Sequence, residues 1–405
     1  MLSFLQNTVF FVLPYLLVLG LVITVHELGH FAAAKLFGTA IDRFSIGFGR
    51  AIFSRRDRSG VEWRVSWIPF GGYVRFAGDD NVASVPDTDD LDALRRDVVA
   101  LEGEGAVKRY FHFKPVWQRA IIAAAGPMAN FALAILLFSG FLLVFGSHIL
   151  PAKIFSVQPG SVAEAVGIRA GDVVVEANGR KIHDFADLQE IVQLRAGVPI
   201  ALMIRRGGQD IHVTATPRSQ VVHDPIVGTQ KVGILGITPA QSRADYEVVR
   251  YNPAQALAGG TRRTWNVLST TVYYLGRMVR GEVSADTLRG PLGIATVTGK
   301  VAQLGAQGAT SIPAMLVAVG ANLIQVAGLV SVSLGFMNLM PLPVLDGGHL
   351  LFYAYEAVAR RPLAAKVQAV GYRVGLALVL GLMLFATVND LQRLRVFNFL
   401  GGLFS

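Results

Sequence analysis

The sequence predicts a polytopic α-helical membrane protein with about four transmembrane helices and one external α+β domain. Its 405 residues are 52% hydrophobic and only 16% charged, and the mean hydropathy is +0.47. A soluble domain would carry roughly a quarter of charged residues. The chain contains no cysteine, which excludes disulfides, thiol catalysis and cysteine-ligated metals. These observations indicate an integral membrane protein with one or two water-exposed parts.

Four apolar stretches reach the length of about 20 residues that a helix needs to cross the hydrocarbon core. The first stretch lacks the basic start and the small-residue cleavage site of a signal peptide, so we interpret it as a retained span. The third is followed by prolines and glycines that prolong its segment to about residue 350. The spans are predicted at residues 9–36, 119–146, 313–345 and 371–388.

Lys and Arg are abundant in two of the connections between these spans. Residues 41–118 are rich in them, and the short loop before the fourth span carries Arg360 and Arg361, whereas the first eight residues carry none. Because basic residues mark the cytoplasmic side, these loops are predicted to be cytoplasmic, and both termini, including the tail at 391–405, external. The formal net charge of +9 then reflects topology and an anionic lipid bilayer, and no nucleic-acid partner is expected.

The long connection after the second span is predicted to be external, because a segment of this length crosses the membrane regardless of its charge. It contains IFSVQPGSVAEAVGIRAGDVVVEANG, in which apolar strands alternate with Gly-Asp and Asn-Gly turns, and a helix-like DFADLQEIVQL follows. This order resembles a PDZ domain, placed at residues 150–220. Such domains bind an extended peptide as an added strand; a β-rich spacer without a ligand is the alternative. Residues 221–310 are interpreted as a linker with an amphipathic helix on the outer membrane face.

The stretch VITVHELGHFAAAKLFG places ionisable side chains in the first span. Burying such groups at membrane depth is expensive, so they usually have a function. His26 and His30 share one helix face and can offer their imidazoles to one metal ion. Glu27 lies about 100° round the helix and can reach a water molecule there without being a ligand, which is the basis of the H-E-x-x-H zinc protease signature. Two hydrogen-bonded histidines in a helix bundle are the alternative.

A catalytic zinc ion usually takes three protein ligands, so a third is needed. The stretch NLMPLPVLDGGHLLF at the end of the third span offers Asp346, with His349 as the only nearby rival. Its prolines and glycines break the helix, and irregular backbone at membrane depth is tolerated where it lines a cavity. We therefore predict Asp346 as the third ligand, a structural role being the alternative.

Four features together resemble a known family. HELGH, GPMAN at 126–130, the PDZ-like block and NLMPLPVLDGGH at 338–349 occur in the order found in the site-2 protease family of intramembrane zinc metalloproteases, most closely the bacterial RseP type. IPFGGYVRFAGD is similar to the family's membrane-associated β-hairpin loop, placed at about 62–78. The resemblance covers nearly the whole chain. The best-known RseP-type enzymes carry two PDZ domains, whereas one is found here, so a tandem size filter is not carried over.

The resemblance implies a role for each matching residue. His26, His30 and Asp346 would bind Zn²⁺, and Glu27 would act as the general base. Asn338 would hydrogen-bond the substrate backbone or the oxyanion, with interhelical hydrogen bonding as the alternative. The other substrate-binding candidates are Gly71, Gly72, Tyr73 and Val74, which would form a strand edge, and Asn130, for which close helix packing beside Gly126 is the alternative.

The resemblance further implies hydrolysis of a peptide bond within or near the transmembrane segment of a single-span substrate. The substrates would be anti-sigma factors already clipped outside, and leftover signal peptides. The protein would lie in the bacterial inner membrane, with both termini and the PDZ-like block in the periplasm. The motifs of serine and aspartyl intramembrane proteases, G-x-S-x-G and G-x-G-D, are absent. A metal transporter would leave Glu27 without a role, and a catalytically inactive PDZ scaffold is the main non-enzyme alternative.

Overall fold

The computed structural model describes residues 2–78, 88–224, 228–239, 246–281, 288–307 and 309–393. The predicted external tail therefore lies outside the described residues from position 394 onward. The chain divides into two compact units. The membrane unit comprises Met1–Ser139, Leu257–Tyr273 and Leu288–Ser405, and the α+β unit comprises Gly140–Ala256 and Tyr274–Thr287.

The described residues form ten α-helices and twelve β-strands. The helices are α1 (Leu2–Leu36), α2 (Thr88–Glu102), α3 (Val116–Phe145), α4 (Val162–Ala165), α5 (Phe185–Leu194), α6 (Pro253–Val279), α7 (Pro291–Ala306), α8 (Ile312–Asn338), α9 (Asp346–Ala359) and α10 (Ala365–Arg393). The strands are β1 (Ile41–Arg56), β2 (Glu62–Phe76), β3 (Ser147–Ile149), β4 (Ser156–Val157), β5 (Val173–Ala177), β6 (Arg180–Lys181), β7 (Ile200–Arg206), β8 (Gln209–Ala215), β9 (Arg218–Asp224), β10 (Gly228–Ile234), β11 (Ile237–Thr238) and β12 (Glu247–Val249).

Four of the described helices are long and apolar enough to cross a membrane, which confirms the predicted spans. They are α1 over Phe11–Leu36, α3, α8 and α10 over Ala365–Gln392. The third span ends at Asn338 and not at residue 345. Pro341 and Pro343 have no amide hydrogen with which to continue the helical ladder, so the chain runs irregularly from 339 to 345 before α9 begins.

Helix α7 is part of the membrane unit and was not singled out from the sequence. It packs against α1 and α8 through small residues. A side chain at Gly299 would overlap Phe11 of α1, and one at Gly305 would lie 3.0 Å from the backbone oxygen of Ala318 in α8. Close approach through glycine is common where membrane helices pack.

Strands β1 and β2 are both bent, so that they form a curled sheet of four segments. Residues 41–46 pair on one side with 72–76 and on the other with 62–65, and the last of these segments also pairs with 51–56. The bend in β1 falls at Gly47 and Gly49, whose φ angles of 84° and 88° favour glycine. The sheet therefore begins well before the predicted loop at about 62–78.

Residues 72–76 form one edge of this sheet: they pair with 41–46 on one side and, among the described residues, have no strand partner on the other. The inner face is anchored by Phe44 and Ile41, which are buried with Ala34 of α1 and Ile122 of α3. The sheet is thus held rigidly against two of the membrane-spanning helices.

The α+β unit is built around an antiparallel sheet with the order β6-β5-β7-β8. Inward-facing residues alternate along β7 and pack against the apolar face of α5. The pairs β4–β11, β9–β10 and β3–β12 complete the unit. Its fully buried side chains include Ile154, Leu188, Ile200, Leu202 and Ile204.

Both ends of α5 are capped. At the start, the Asp184 carboxylate accepts a 2.7 Å hydrogen bond from the Asp187 backbone N–H. At the end, the Arg277 guanidinium donates to the carbonyl oxygens of Leu194 and Ala196. Arg277 lies in the last turns of α6, which belong to the α+β unit, so this contact is made within that unit.

Candidate active site

The site is built where α1 and α3 cross. A Cβ atom at Gly29 of HELGH would overlap the backbone oxygen of Ala125, and one at Gly126 of GPMAN would overlap His30 Nε2 and lie 2.9 Å from His26 Cε1. The two glycines therefore let the helix backbones approach and leave room for both imidazoles. This explains physically why each of the two motifs contains a glycine at that position.

Three side chains predicted as metal ligands come together at this crossing. His26 Nε2 lies 3.2 Å from His30 Nε2. Asp346 Oδ2 lies 3.2 Å from His26 Nε2 and 3.5 Å from His30 Nε2. Among the described residues, this is the only group of three such side chains close enough to hold a metal ion.

The spacing of the three ligand atoms fits zinc. With zinc–ligand distances of about 2.0–2.1 Å, two corners of a tetrahedral site are about 3.3–3.4 Å apart. The observed separations of 3.2, 3.2 and 3.5 Å bracket that value. Asp346 Oδ2 is buried and receives no hydrogen bond, which is costly for a carboxylate oxygen unless a cation compensates it. The three atoms thus have the spacing of a zinc site, and the Asp346 carboxylate needs a compensating cation.

The opposite nitrogen of each imidazole is also engaged. His30 Nδ1 lies 2.8 Å from the Ile122 carbonyl oxygen. That oxygen can only accept, so Nδ1 carries the proton and Nε2 keeps the lone pair that a metal requires. His26 Nδ1 lies 3.2 Å from Asn130 Nδ2. Asn130, predicted as a substrate contact, is completely buried behind this ring.

Asp346 owes its position to the irregular segment before it. The segment folds back against the first turn of α9, where a side chain at Gly347 would overlap the Leu339 carbonyl and one at Gly348 would overlap that of Leu342. Only glycine permits this approach. The Asp346 carboxylate is consequently directed from the first turn of α9 toward the histidines of α1.

Glu27 lies between the histidines and the open edge of the sheet. The Val74 backbone N–H is within hydrogen-bonding reach of its carboxylate. A Cβ atom at Gly72 would come within 2.9 Å of Glu27 Cγ. The residues predicted to form a substrate-binding strand edge therefore lie directly beside the predicted general base.

A cavity of about 760 Å³ extends from these side chains through the membrane unit. The Asn338 amide nitrogen is 3.3 Å from His26 Nε2 at its wall. His349, the rival ligand, is not part of the trio; its ring lies 6.3 Å from that of Tyr372 and 6.4 Å from that of Tyr353. The predicted substrate-binding residues that line the cavity are Gly71, Gly72, Tyr73, Val74 and Asn338; Asn130 is not among them.

One ion pair at the site was missed by the sequence analysis. Arg119 Nη2 donates to Glu356 Oε1 at 2.6 Å, and the guanidinium also lies 5.0 Å above the Tyr353 ring. Both charged side chains are less than a fifth exposed. The pair ties α9, which carries Asp346, to the start of α3. The lone charge at the start of the apolar second span was the available signal, but its partner is far away in sequence.

Comparisons with known proteins agree with this geometry. A model of peptidase family M50 matches residues 14–382. Metalloprotease MmpA of Caulobacter vibrioides is 50% identical over 96% of this chain and 97% of its own length. A putative zinc metalloprotease of Agrobacterium fabrum is 38% identical over 95% of this chain and 96% of its own length. Regulator of sigma-E protease RseP of Escherichia coli is 30% identical over 97% of this chain and 100% of its own length.

Proposed function

The chain belongs to peptidase family M50, the site-2 protease family, and is a zinc metalloendopeptidase; on this premise we propose that it cleaves single-span membrane proteins within or near their transmembrane segments. The observation that carries the proposal is the position of the trio. His26 and His30 lie on α1, which qualifies as a membrane span, and Asp346 at the start of α9 meets them there. A peptide bond hydrolysed there must reach membrane depth.

We assign the zinc ligands as His26, His30 and Asp346. When bound, the zinc ion supplies a Lewis acid and lowers the pKa of water. Glu27 takes a proton from the water whose oxygen attacks the scissile carbonyl carbon, and it returns a proton to the amine nitrogen as the carbon–nitrogen bond breaks. The Asn338 amide, 3.3 Å from His26 Nε2, donates to the carbonyl oxygen as negative charge develops on it.

The edge at residues 72–76 holds the substrate in an extended form. In a transmembrane helix every peptide group is hydrogen-bonded within the helix, so the scissile bond is shielded. An unwound segment can instead pair with an open sheet edge. The edge runs beside Glu27, so a strand added there would present its peptide bonds to the general base.

The α+β unit is proposed to be a single PDZ domain in the periplasm, with both termini on the same side of the inner membrane. Its proposed role is to exclude substrates that still carry a bulky external domain. The alternative role is to recruit substrates by binding a peptide. The substrates are proposed to be clipped anti-sigma factors and remnant signal peptides. This rests on the relative whose name is regulator of sigma-E protease and on the multi-pass membrane character of this chain.

The test uses the full chain in detergent with a short single-span substrate whose cleavage is followed by mass spectrometry. The chain should cleave within or near the span and contain about one zinc per molecule. Glu27→Gln should keep zinc and lose cleavage. A chain that binds zinc but cuts only soluble peptides, or cuts far from the span, would contradict the proposal.

A further inference from the structure

Asn130 is a buried amide with an unsatisfied oxygen next to a metal ligand. Its side chain is 0% exposed, and Nδ2 lies 3.2 Å from His26 Nδ1. Its Oδ1 is buried without a hydrogen-bond donor. Buried polar atoms without partners are rare and call for an explanation. Because the residue does not line the cavity, contact with substrate does not explain it.

Each of the two imidazoles needs a hydrogen-bond acceptor for the proton on its Nδ1 atom. Both Nε2 atoms point toward Asp346 Oδ2 and toward each other, so both must be free of protons to hold zinc. A neutral imidazole then carries its proton on Nδ1. For His30 the acceptor of that proton is the Ile122 carbonyl oxygen. For His26, the side chain that faces Nδ1 is Asn130.

We propose that Asn130 is a positioning residue, which accepts the Nδ1 proton of His26 through its amide oxygen and so fixes the tautomer and ring orientation of that zinc ligand. A half-turn of the amide exchanges Oδ1 and Nδ2 and places the acceptor opposite Nδ1. The orphaned oxygen then gains its donor. The inference rests on the assignment of His26 as a zinc ligand.

Asn130 also contacts α8, through its backbone and its Cβ atom. The Ser331 hydroxyl of α8 donates a 2.8 Å hydrogen bond to the Asn130 carbonyl oxygen. A Cβ atom at Gly335, also in α8, would lie 3.2 Å from Asn130 Cβ. Asn130 thus lies between α1 and α8, and these contacts with α8 do not involve its amide.

The test measures zinc affinity of the full chain in detergent by competition with a chelator, with no substrate present. Asn130→Leu keeps the shape of the side chain and removes the acceptor, and affinity should fall about 10–100-fold, as for other partners of metal-bound histidines. Asn130→Asp restores an acceptor and should hold the affinity near that of the parent. Ser331→Ala, which breaks the neighbouring hydrogen bond at the same helix contact, should leave it unchanged.

The outcomes separate the possible errors. If His26→Ala leaves zinc affinity unchanged, the ligand assignment is wrong. If His26→Ala abolishes binding but Asn130→Leu binds as well as the parent, only the present inference fails. An Asp variant as weak as the Leu variant, or an equal loss with Ser331→Ala, would reduce Asn130 to a packing role. Should Asn130→Leu not fold, Asn130→Ala, which also lacks the acceptor, carries the same comparison with Asp.

Discussion

The proposed metal centre, formed by His26, His30 and Asp346, and the core of the α+β unit are held together in opposite ways. In the centre, polar side chains are fixed because backbones approach at Gly29 and Gly126 and leave no room for an added carbon atom. In the α+β unit, apolar side chains from sheet and helix fill a continuous core. The first arrangement depends on a few positions and the second is spread over many.

This difference follows from the surroundings of each region. Lipid tails are as apolar as the helices themselves, so membrane helices gain little from burying apolar area and associate through close packing of small residues. A water-exposed unit gains from every apolar side chain that it buries. We therefore expect a single added methyl group to matter most at the centre, and a single substitution in the α+β unit to have a smaller effect.

The largest effect is expected for Gly126→Ala. The new methyl group would overlap His30 Nε2 and crowd His26 Cε1, so the imidazoles could not keep their present positions. Zinc binding and cleavage should both fall below detection, measured by metal analysis and by the single-span cleavage assay.

Gly140→Ala on the same helix is the matched control. No heavy atom lies within 4 Å of a Cβ atom at that position, and alanine is the better helix former. This variant should keep full zinc content and activity. If Gly126→Ala behaves like it, close backbone approach is not what shapes the centre.

The sequence predicted those parts of the centre whose signals are local. His26, Glu27 and His30 lie within one helical turn and a half, so their shared side of the helix follows from spacing. Asp346 was found because few other ionisable groups exist at membrane depth. The four spans were found because apolar composition is read over a window of about 20 residues.

The parts that were missed depend on contacts between distant segments. Helix α7 resembles a linker in sequence. Its packing within the membrane unit depends on Gly299 and Gly305, which fit against α1 and α8. The bend in β1 occurs at Gly47 and Gly49, among arginines that suggested only a basic loop. Nothing near Arg119 in sequence indicates Glu356.

A second prediction concerns that ion pair. Glu356→Ala leaves the Arg119 guanidinium without its 2.6 Å partner in a site where both side chains are mostly buried. A hydrogen bond to a charged group contributes about 1.5–3 kcal/mol, so the thermal midpoint in detergent should fall and zinc affinity should weaken as α9 loosens.

The double variant Arg119→Leu/Glu356→Leu sharpens this test. Replacing both partners by apolar residues removes the uncompensated charge, and such replacements are often close to neutral. Its stability should lie above that of Glu356→Ala. A double variant less stable than the single one would mean that the pair contributes more than charge compensation.

The smallest effect on the centre, and the largest on the α+β unit, is expected for Asp172→Asn. Asp172 is 1% exposed and accepts hydrogen bonds of 2.7 and 2.8 Å from the Arg206 guanidinium and of 2.8 Å from the Arg169 backbone N–H. Burial alone would raise the pKa of its carboxyl, but Arg206 and Arg169 outweigh burial and hold that pKa below its usual range.

A carboxyl whose pKa is lowered by folding stabilises the folded state above its unfolded pKa of about 3.9, and that contribution is lost as the pH falls through the lower folded value. At neutral pH, Asp172→Asn should therefore destabilise the α+β unit by about 2 kcal/mol, and the difference from the parent should shrink as the solution is made acidic. Hydrogen exchange of the β5 and β7 amides in the full chain measures this difference in stability.

Asp210→Asn, which removes the exposed partner of Arg205 next along β7, should change nothing measurable because exposed pairs contribute little. Zinc affinity should remain that of the parent in both variants, since neither side chain belongs to the membrane unit. Equal protection of Asp172→Asn and the parent at neutral pH would show that the apolar core alone holds this unit together, and that buried polar partners matter there no more than at its surface.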